Sequence, residues 1–427
     1  MLAEIISIGD ELTSGQRLDT NSQWLSQRLG ELGIPVHYHT TVADDLAANI
    51  AVFRQAVGRA DVVIATGGLG PTADDLTREA LAQMLGVELE LDPNSLEHIR
   101  TLFAHRKREM PERNVVQAML PRGSRVIPNP HGTAPGIDAV APPPLGRPSR
   151  IFALPGVPAE MKEMWQASVA PRLIEEGAGQ QVIRHRRIKC FGVGESDLEQ
   201  MLPDLIRRGR VPSVGITVSE ATITLRITTG GRTSEECFAA MESTEAMIHE
   251  CLGSLVFGYE DDELADVVVR QLGERGETLA IVEWGTAGLV AQWLGDVRGA
   301  EAIFLAGLVV GDIGTLRRLL PVSASIEQHG EISGETATAM ASAFRERSGA
   351  DYALAIGKFP VFDPRASEPA PFYFALSSRE GTTTRSSPFA AHPAILKSRA
   401  GKQALNLLRL HLLGERTPES EARSQNR

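Results

Sequence analysis

Short β-rich runs alternate with longer stretches of helical spacing at the start of the chain. They are AEIISI at 3–8, an apolar helical pattern over Asn21–Leu32, DVVIAT at 61–66, and a second helical pattern over Asp74–Leu85. That alternation predicts a layered α/β domain on parallel strands. Further strands are expected at Arg125–Ile127 and at IFALPG (151–156), separated by APPPLGRP (141–148), whose prolines suit an exposed loop. The first domain is expected to span 1–173. From Val182 the order becomes strand, helix from Glu195, two adjacent β-runs (VGITVSE and ATITLRITT) and a helix over Ser234–His249. This reads as a small α+β block, 174–258, acting as a spacer or dimerising domain. A third α/β unit, 259–413, opens on the acidic YEDDEL. It continues through strands at 278–283, 301–310, 352–357 and 372–376 to a closing helix over Ala394–Leu413. The tail, 414–427, has the polar composition of disorder.

Charge narrows the partners. Against 43 Lys and Arg stand 54 Asp and Glu, a net charge of −11, which disfavours an extended nucleic-acid track while leaving room for a local anion-binding loop. Polar residues interrupt every apolar run well before about 18 residues, so no transmembrane helix is expected. Met1–Asp10 reaches Gly9 and Asp10 without a basic start, which does not fit a signal peptide, and a cytoplasmic address follows. Cys190, Cys237 and Cys251 are odd in number and lack CxxC spacing, so buried free thiols are expected.

The most informative stretch is DVVIATGGLGPTADDLTREA, 61–80. An apolar strand runs into a glycine turn and then a helix expected to begin with two carboxylates. Gly67, Gly68 and Gly70 can adopt positive φ and bring backbone N–H groups close to a ligand, while Pro71 fixes the exit. A phosphate could sit on this turn at the positive end of the helix, and the bland alternative is a tight β–α connection. Asp74 and Asp75 suit capping, a divalent cation, or both. Asp10 and Glu11 follow the first strand, and Asp44 and Asp45 follow the strand ending near Thr41. All three acidic pairs are expected just past the carboxyl ends of parallel strands, where open α/β sheets hold their ligands.

GDEL (9–12), DTNSQWLS (19–26), TGGLGPTADDLT (66–77), NPHGTAPG (129–136) and LPGVPAEM (154–161) together resemble the CinA family. Its first domain is similar to the MogA/MoaB proteins of molybdenum-cofactor synthesis. GVGESDLEQML (192–202) and TVSEATITLRIT resemble the family's KH-like middle domain, without an obvious GxxG nucleic-acid loop. The resemblance implies a first domain that hydrolyses ADP-ribose to AMP and ribose 5-phosphate with a divalent metal (Mg2+, Mn2+ or Co2+), K+ sometimes assisting. It implies Gly67, Gly68, Leu69, Gly70, Pro71 and Thr72 as phosphate cradle. Asp10, Asp44, Asp74 and Asp75 become metal or water-activating groups, with Asp44, Asp74 and Asp75 as the metal ligands. Asn21, Thr133 and Gly156 would line the crevice. Each has a structural alternative: Asn21 as a helix cap, Thr133 as turn chemistry, Gly156 as a loop shaper. The basic run Arg106–Arg108 is expected to be a solvated helix face. The main rival is a protein that binds a pterin or nucleotide without turnover. A second is an interaction role in DNA uptake or damage response. A homodimer is expected because the middle block has little core of its own.

The last unit resembles the family's C-terminal domain, whose active members deamidate nicotinamide mononucleotide through a serine in an ESCTGG turn. Here the stretch reads Glu283-Trp284-Gly285-Thr286-Ala287-Gly288, with Trp284 at the serine position and Gly285 at the cysteine position. The family's tyrosine and lysine align with Gly311 and Leu316, and its TGxAGP loop has become IGKFPVFDP (356–364), while HGEISGETA (329–337) survives. The resemblance therefore implies a domain that has lost the deamidase chemistry and kept the fold.

Overall fold

The computed structural model describes residues 1–142, 148–202, 204–207, 209–363, 365 and 367–414. The expected disordered tail and most of the APPPLGRP segment lie outside these residues. The chain divides into two compact units, Met1–Arg184 with Thr229–Ala240, and His185–Thr228 with Met241–Arg427.

In the first unit the strands are β1 (Ala3–Ile8), β2 (Val36–Val42), β3 (Val62–Thr66), the short pair β4 (Leu89–Leu91) and β5 (Met119–Pro121), β6 (Arg125–Ile127), β7 (Gly136–Ala141) and β8 (Ser149–Leu154). The main sheet runs β2-β1-β3-β8-β7-β6. Its first four strands are parallel, while β7 and β6 pair antiparallel at the far side, so the expected parallel sheet is mixed. The pattern missed β7 because GIDAVA is a short run that opens on glycine. Every residue of β1 is buried. Ala3 and Ile5 join the core on one face with Leu25, Leu29 and Trp165, and Ile6 and Ile8 join the core on the other face with Phe53 and Leu81. Strands covered by helices on both faces lose the apolar/polar alternation and read as continuous hydrophobic runs, as β1 and β3 do.

The middle block supplies β9 (Val182–Cys190), β10 (Ser213–Ser219), β11 (Thr222–Gly231) and β12 (Val256–Tyr259), in the order β10-β11-β9-β12. The last unit holds β13 (Leu279–Glu283), β14 (Phe304–Val309), β15 (Tyr352–Ile356), β16 (Pro371–Ser378) and β17 (Gly381–Pro388), ordered β14-β13-β15-β16-β17. The β17 strand, GTTTRSSP, was not expected, because only polar positions mark it. The closing helix spans Leu396–Leu412. Among the thiols, Cys190 and Cys237 are buried as expected, whereas Cys251 is half-buried. Burial pushes the Cys190 thiol up to about 12 despite the nearby Arg409. No helix among the described residues is long and apolar enough to cross a membrane.

Candidate functional site

Strand order reverses between β1 and β3: the chain crosses from β1 to β2 on one side and from there to β3 on the other. In open α/β sheets the crevice beyond the carboxyl ends at such a point is where ligands bind. A small crevice of about 30 Å³ lies there, lined by Ile8 and Thr66 at the two strand ends and by Glu11, Arg17, Asn21 and Gly156. Asn21 crosses it, with Nδ2 donating to the Gly156 carbonyl at 2.9 Å and to Thr66 Oγ1 at 3.3 Å. Its Oδ1 is buried without a partner among the described residues. Asn21 is therefore not the cap of its helix. Asp19 is, accepting from the Ser22 amide at 2.9 Å and from Ser7 Oγ at 2.6 Å.

Beside the crevice, Asp10 and Asp44 clasp each other. The Asp10 amide donates to Asp44 Oδ2 at 2.9 Å and the Asp44 amide to Asp10 Oδ1 at 3.1 Å, joining the segments after β1 and β2. Asp45 caps the helix Leu46–Val57 through the Ala48 amide. Partial burial pushes the Asp44 carboxyl above its ordinary value, the Asp10 amide opposes this, and the charges of Asp10, Asp74 and Glu11 add to it. Asp74 is exposed, and hydrogen bonding to Thr72 and to its own amide keeps it below the usual range. Asp10, Glu11, Asp44 and Asp74 thus share one negative field at the carboxyl edge of the sheet.

The glycine turn differs from its expected form. The helix begins at Thr77, not at Asp74, so neither aspartate sits on a helix N-terminus. Asp75 instead folds back over the turn: Oδ1 accepts from the Gly70 amide at 2.7 Å, and Oδ2 accepts from the Thr72 amide at 2.9 Å and from the Thr72 hydroxyl. Aspartates compete in this way with the backbone pattern of a helix, which delays its start. Both Asp75 oxygens are engaged in building the loop, a structural task beside the metal or catalytic role expected of Asp75. The cradle is narrower for the same reason. Gly70 and Thr72 donate to Asp75, Pro71 has no N–H, and Gly67 donates to the Leu154 carbonyl; Leu69 is buried, and Gly68 is half-buried. Gly67 is required on two counts, a φ of +105° and a Cβ position only 2.2 Å from the Ile8 carbonyl oxygen.

Two residues the sequence did not single out hold this turn. Thr77 Oγ1 donates to the Gly67 carbonyl at 2.8 Å, and the buried Arg78 donates to the Leu69 carbonyl at 2.7 Å and to that of Gly70. Burial pulls the Arg78 guanidinium down to about 10, with the Asp75 charge opposing. The available signal was a charged residue on the core-facing side of an otherwise apolar helix. Thr133 is not brought to the crevice. It lies half-buried in the loop after β6, which the buried Asn129 ties to Ala134 and to Glu160 at 2.9 and 2.7 Å. Among the described residues, no group of three or more His, Cys, Asp or Glu is arranged to hold a metal ion.

Comparison with known proteins bears on the whole chain. A protein of Symbiobacterium thermophilum named as competence-damage inducible is 37% identical over 427 residues, covering 97% of this chain and 99% of its own. The chain belongs to the CinA family. A CinA-like protein of Frankia casuarinae is 36% identical over 435 residues, covering 99% and 98%. The family profile described as "Probable molybdopterin binding domain" matches residues 4–175, the "Damage-inducible protein CinA KH domain" 185–258 and the "CinA C-terminal domain" 261–412. The crystal structure of the protein CinA from Thermoplasma acidophilum is 33% identical, with a TM-score of 0.36 over 40% of this chain and 96% of its own.

Within this CinA chain, the stretch Glu283–Gly288 is packed with apolar groups. Trp284 is buried in the core formed by Val282, Leu316 and Met340. A Cβ on Gly285 would sit 2.4 Å from the Phe359 ring, so Phe359 fills the space beside Gly285. Glu283, fully buried, accepts from the Val290 and Ala291 amides at 3.1 and 2.7 Å and from Thr286, which anchors the helix Leu289–Asp296. The surviving HGEISGETA has a structural task, because Ser333 accepts from the Thr336 amide and caps the helix Gly334–Ser348.

Proposed function

We propose that the first domain hydrolyses the diphosphate of ADP-ribose or a related nucleotide with a divalent cation (Mg2+, Mn2+ or Co2+, with K+ as a further ion), and that the last domain lacks nicotinamide mononucleotide deamidase activity. The observation that carries the first part is the Asp10–Asp44 clasp with Asp74 in its field, next to a crevice at the sheet's reversal point. Like charges this close favour a cation between them. Mg2+ needs only one or two carboxylates and completes its shell with waters and substrate phosphate oxygens, so the donor set fits a metal that arrives with its nucleotide. One or two of Asp44, Asp10 and Asp74 would hold it, and the bound ion would supply charge neutralisation and a more acidic water. Arg17 at the crevice mouth faces the diphosphate, Asn21 orients the ligand against Thr66 and Gly156, and the Gly68 amide donates to the remaining anionic oxygen. The deamidase proposal rests on the buried Trp284 and the half-buried Phe359, which put aromatic carbon where a nucleophile and its access would be needed.

The test is AMP formation from ADP-ribose, with and without each cation, in the full chain and in Asp44→Asn and Asp74→Asn variants. Asparagine at 44 keeps an acceptor for the Asp10 amide and removes the charge. Turnover that needs the cation and falls ~100-fold or more in both variants is expected, and unchanged turnover would remove this site. A second reading, tight binding of a pterin or nucleotide without turnover, is favoured by Asp75 occupying the loop amides; a saturable ligand with no product under every cation would establish it.

A further inference from the structure

A second cavity, of about 810 Å³, lies in the other unit, between the middle-block elements and the closing helix. Its frame is fixed. Arg409 on that helix is 2% exposed and donates to the carbonyls of Ser254 and Val256. Lys402 is equally enclosed, with Nζ 2.7 Å from Thr222 Oγ1 and 3.0 Å from Glu263. Phe191 and Phe257 belong to the same apolar core as Leu264, Leu405 and Leu408. A space between surfaces joined this way persists as a cavity, and its size falls in the range of small-molecule pockets, roughly 300–1,000 Å³.

The lining is ordered by chemistry. Phe191, Ile223, Phe374 and Leu407, all buried, make the floor. The last block contributes the guanidinium groups of Arg385 and Arg399 to the lining, and the middle block contributes Glu195, Asp197 and Glu220. Gln403 also lines it, donating to Ser387 Oγ at 2.8 Å while its Oε1 is buried without a partner among the described residues. Glu220 is placed by an unusual turn. It and Ala221 connect β10 to β11 with φ of +46° and +63°, a two-residue hairpin geometry that normally selects asparagine and glycine. Two non-glycine residues in this conformation are held by their surroundings, and Ala221 packs against the shared core.

We infer that this cavity binds a small zwitterion with an apolar body, a short peptide or an amino acid with free termini: its carboxylate faces Arg385 and Arg399, its ammonium faces Glu220, and its side chains lie on the apolar floor. The charge balance selects this class. Three carboxylates against two guanidinium groups repel a polyanion such as a nucleotide, whereas a ligand with one charge of each sign satisfies both sets of groups and stays neutral overall. The site is independent of the nucleotide crevice and of the deamidase-like turn.

The experiment is calorimetric titration of the full chain with the tripeptide Ala-Phe-Ala, L-phenylalanine, and Ala-Phe-Ala acetylated and amidated at its ends. Saturable binding of a free-ended probe is expected, at least ~10-fold weaker for the capped peptide, and ~10-fold weaker in each of Glu220→Gln and Arg399→Gln. These two groups lie at the exposed rim, so the variants fold, which a thermal melt verifies. The tripeptide and the single amino acid distinguish the two sources of the same chemistry. Equal binding of capped and free peptide, binding untouched by both variants, or no saturable binding of any probe below about 10 mM would overturn the proposal.

Discussion

Asp44 ionises less readily in the folded chain than in the unfolded one, through its partial burial and the charges of Asp10, Asp74 and Glu11. A carboxyl whose folded value is raised holds its proton more tightly when folded. Its ionised form therefore opposes folding at neutral pH, and the penalty disappears as pH falls through the folded value and below the ordinary 3.8. Asp44→Asn is accordingly expected to be more stable than the parent near pH 7 in urea titrations, with the gain shrinking toward about pH 4. A variant less stable than the parent at neutral pH would contradict this reading. The same residues mark how far the sequence could be read. The acids at the sheet edge were visible from their positions after predicted strands, and Gly67 from the turn it must make. What each oxygen does was not visible. Asp74 and Asp75 are adjacent and chemically identical, yet one adds to the field at Asp44 and the other ties down Gly70 and Thr72. That division depends on backbone geometry which no spacing rule encodes.

At the level of elements, the β-runs and amphipathic helices were legible wherever burial on both faces imposed an apolar run, as in β1, β3, β13 and β15. The helix after β3 began three residues late because side-chain hydrogen bonds to the turn outcompeted the helical ladder. β7 escaped notice because it is short and opens on glycine, and β17 because it is a polar edge strand paired only with β16. In the loop between β13 and the helix Leu289–Asp296 the sequence resemblance led us to expect no deamidase chemistry, and the structure shows what packs beside that loop. Phe359 sits in an aromatic cluster with Phe372 and Phe389, at 5.3 and 4.7 Å between ring centroids. Returning cysteine to position 285 would drive a side chain into that ring. Gly285→Cys should cost about 1–3 kcal/mol in chemical denaturation, and adding Phe359→Ala should make the pair less costly than the sum of the two single changes. Strict additivity would show that ring and loop do not meet.

For the whole molecule, three consecutive blocks were readable from the pattern, and their allegiance was not. The middle block has recognisable elements of its own, yet Phe191 and Phe257 are part of the last unit's core and the closing helix reaches back to Ser254 and Val256. A fragment limited to 185–258 would expose both phenylalanines, and small blocks have little apolar area to offset chain entropy. Such a fragment is expected to lack a cooperative melt by circular dichroism, whereas 185–414 melts cooperatively; a cooperative transition in the short fragment would show that it folds alone. The net charge of −11 acts at this scale too, since it repels polyanions in general, and the proposed diphosphate site would need a cation to offset it.

We propose that Asp10, Asp44 and Asp74 and the crevice between β1 and β3 form one nucleotide site. Its most direct test is a crystal structure of the full chain soaked with ADP-ribose and Mn2+, read by anomalous scattering. The predicted result is a manganese peak beside Asp44 with the diphosphate, or its product phosphate, reaching toward Asn21, Thr66 and Gly156. Manganese and nucleotide bound away from that edge of the sheet would contradict the account.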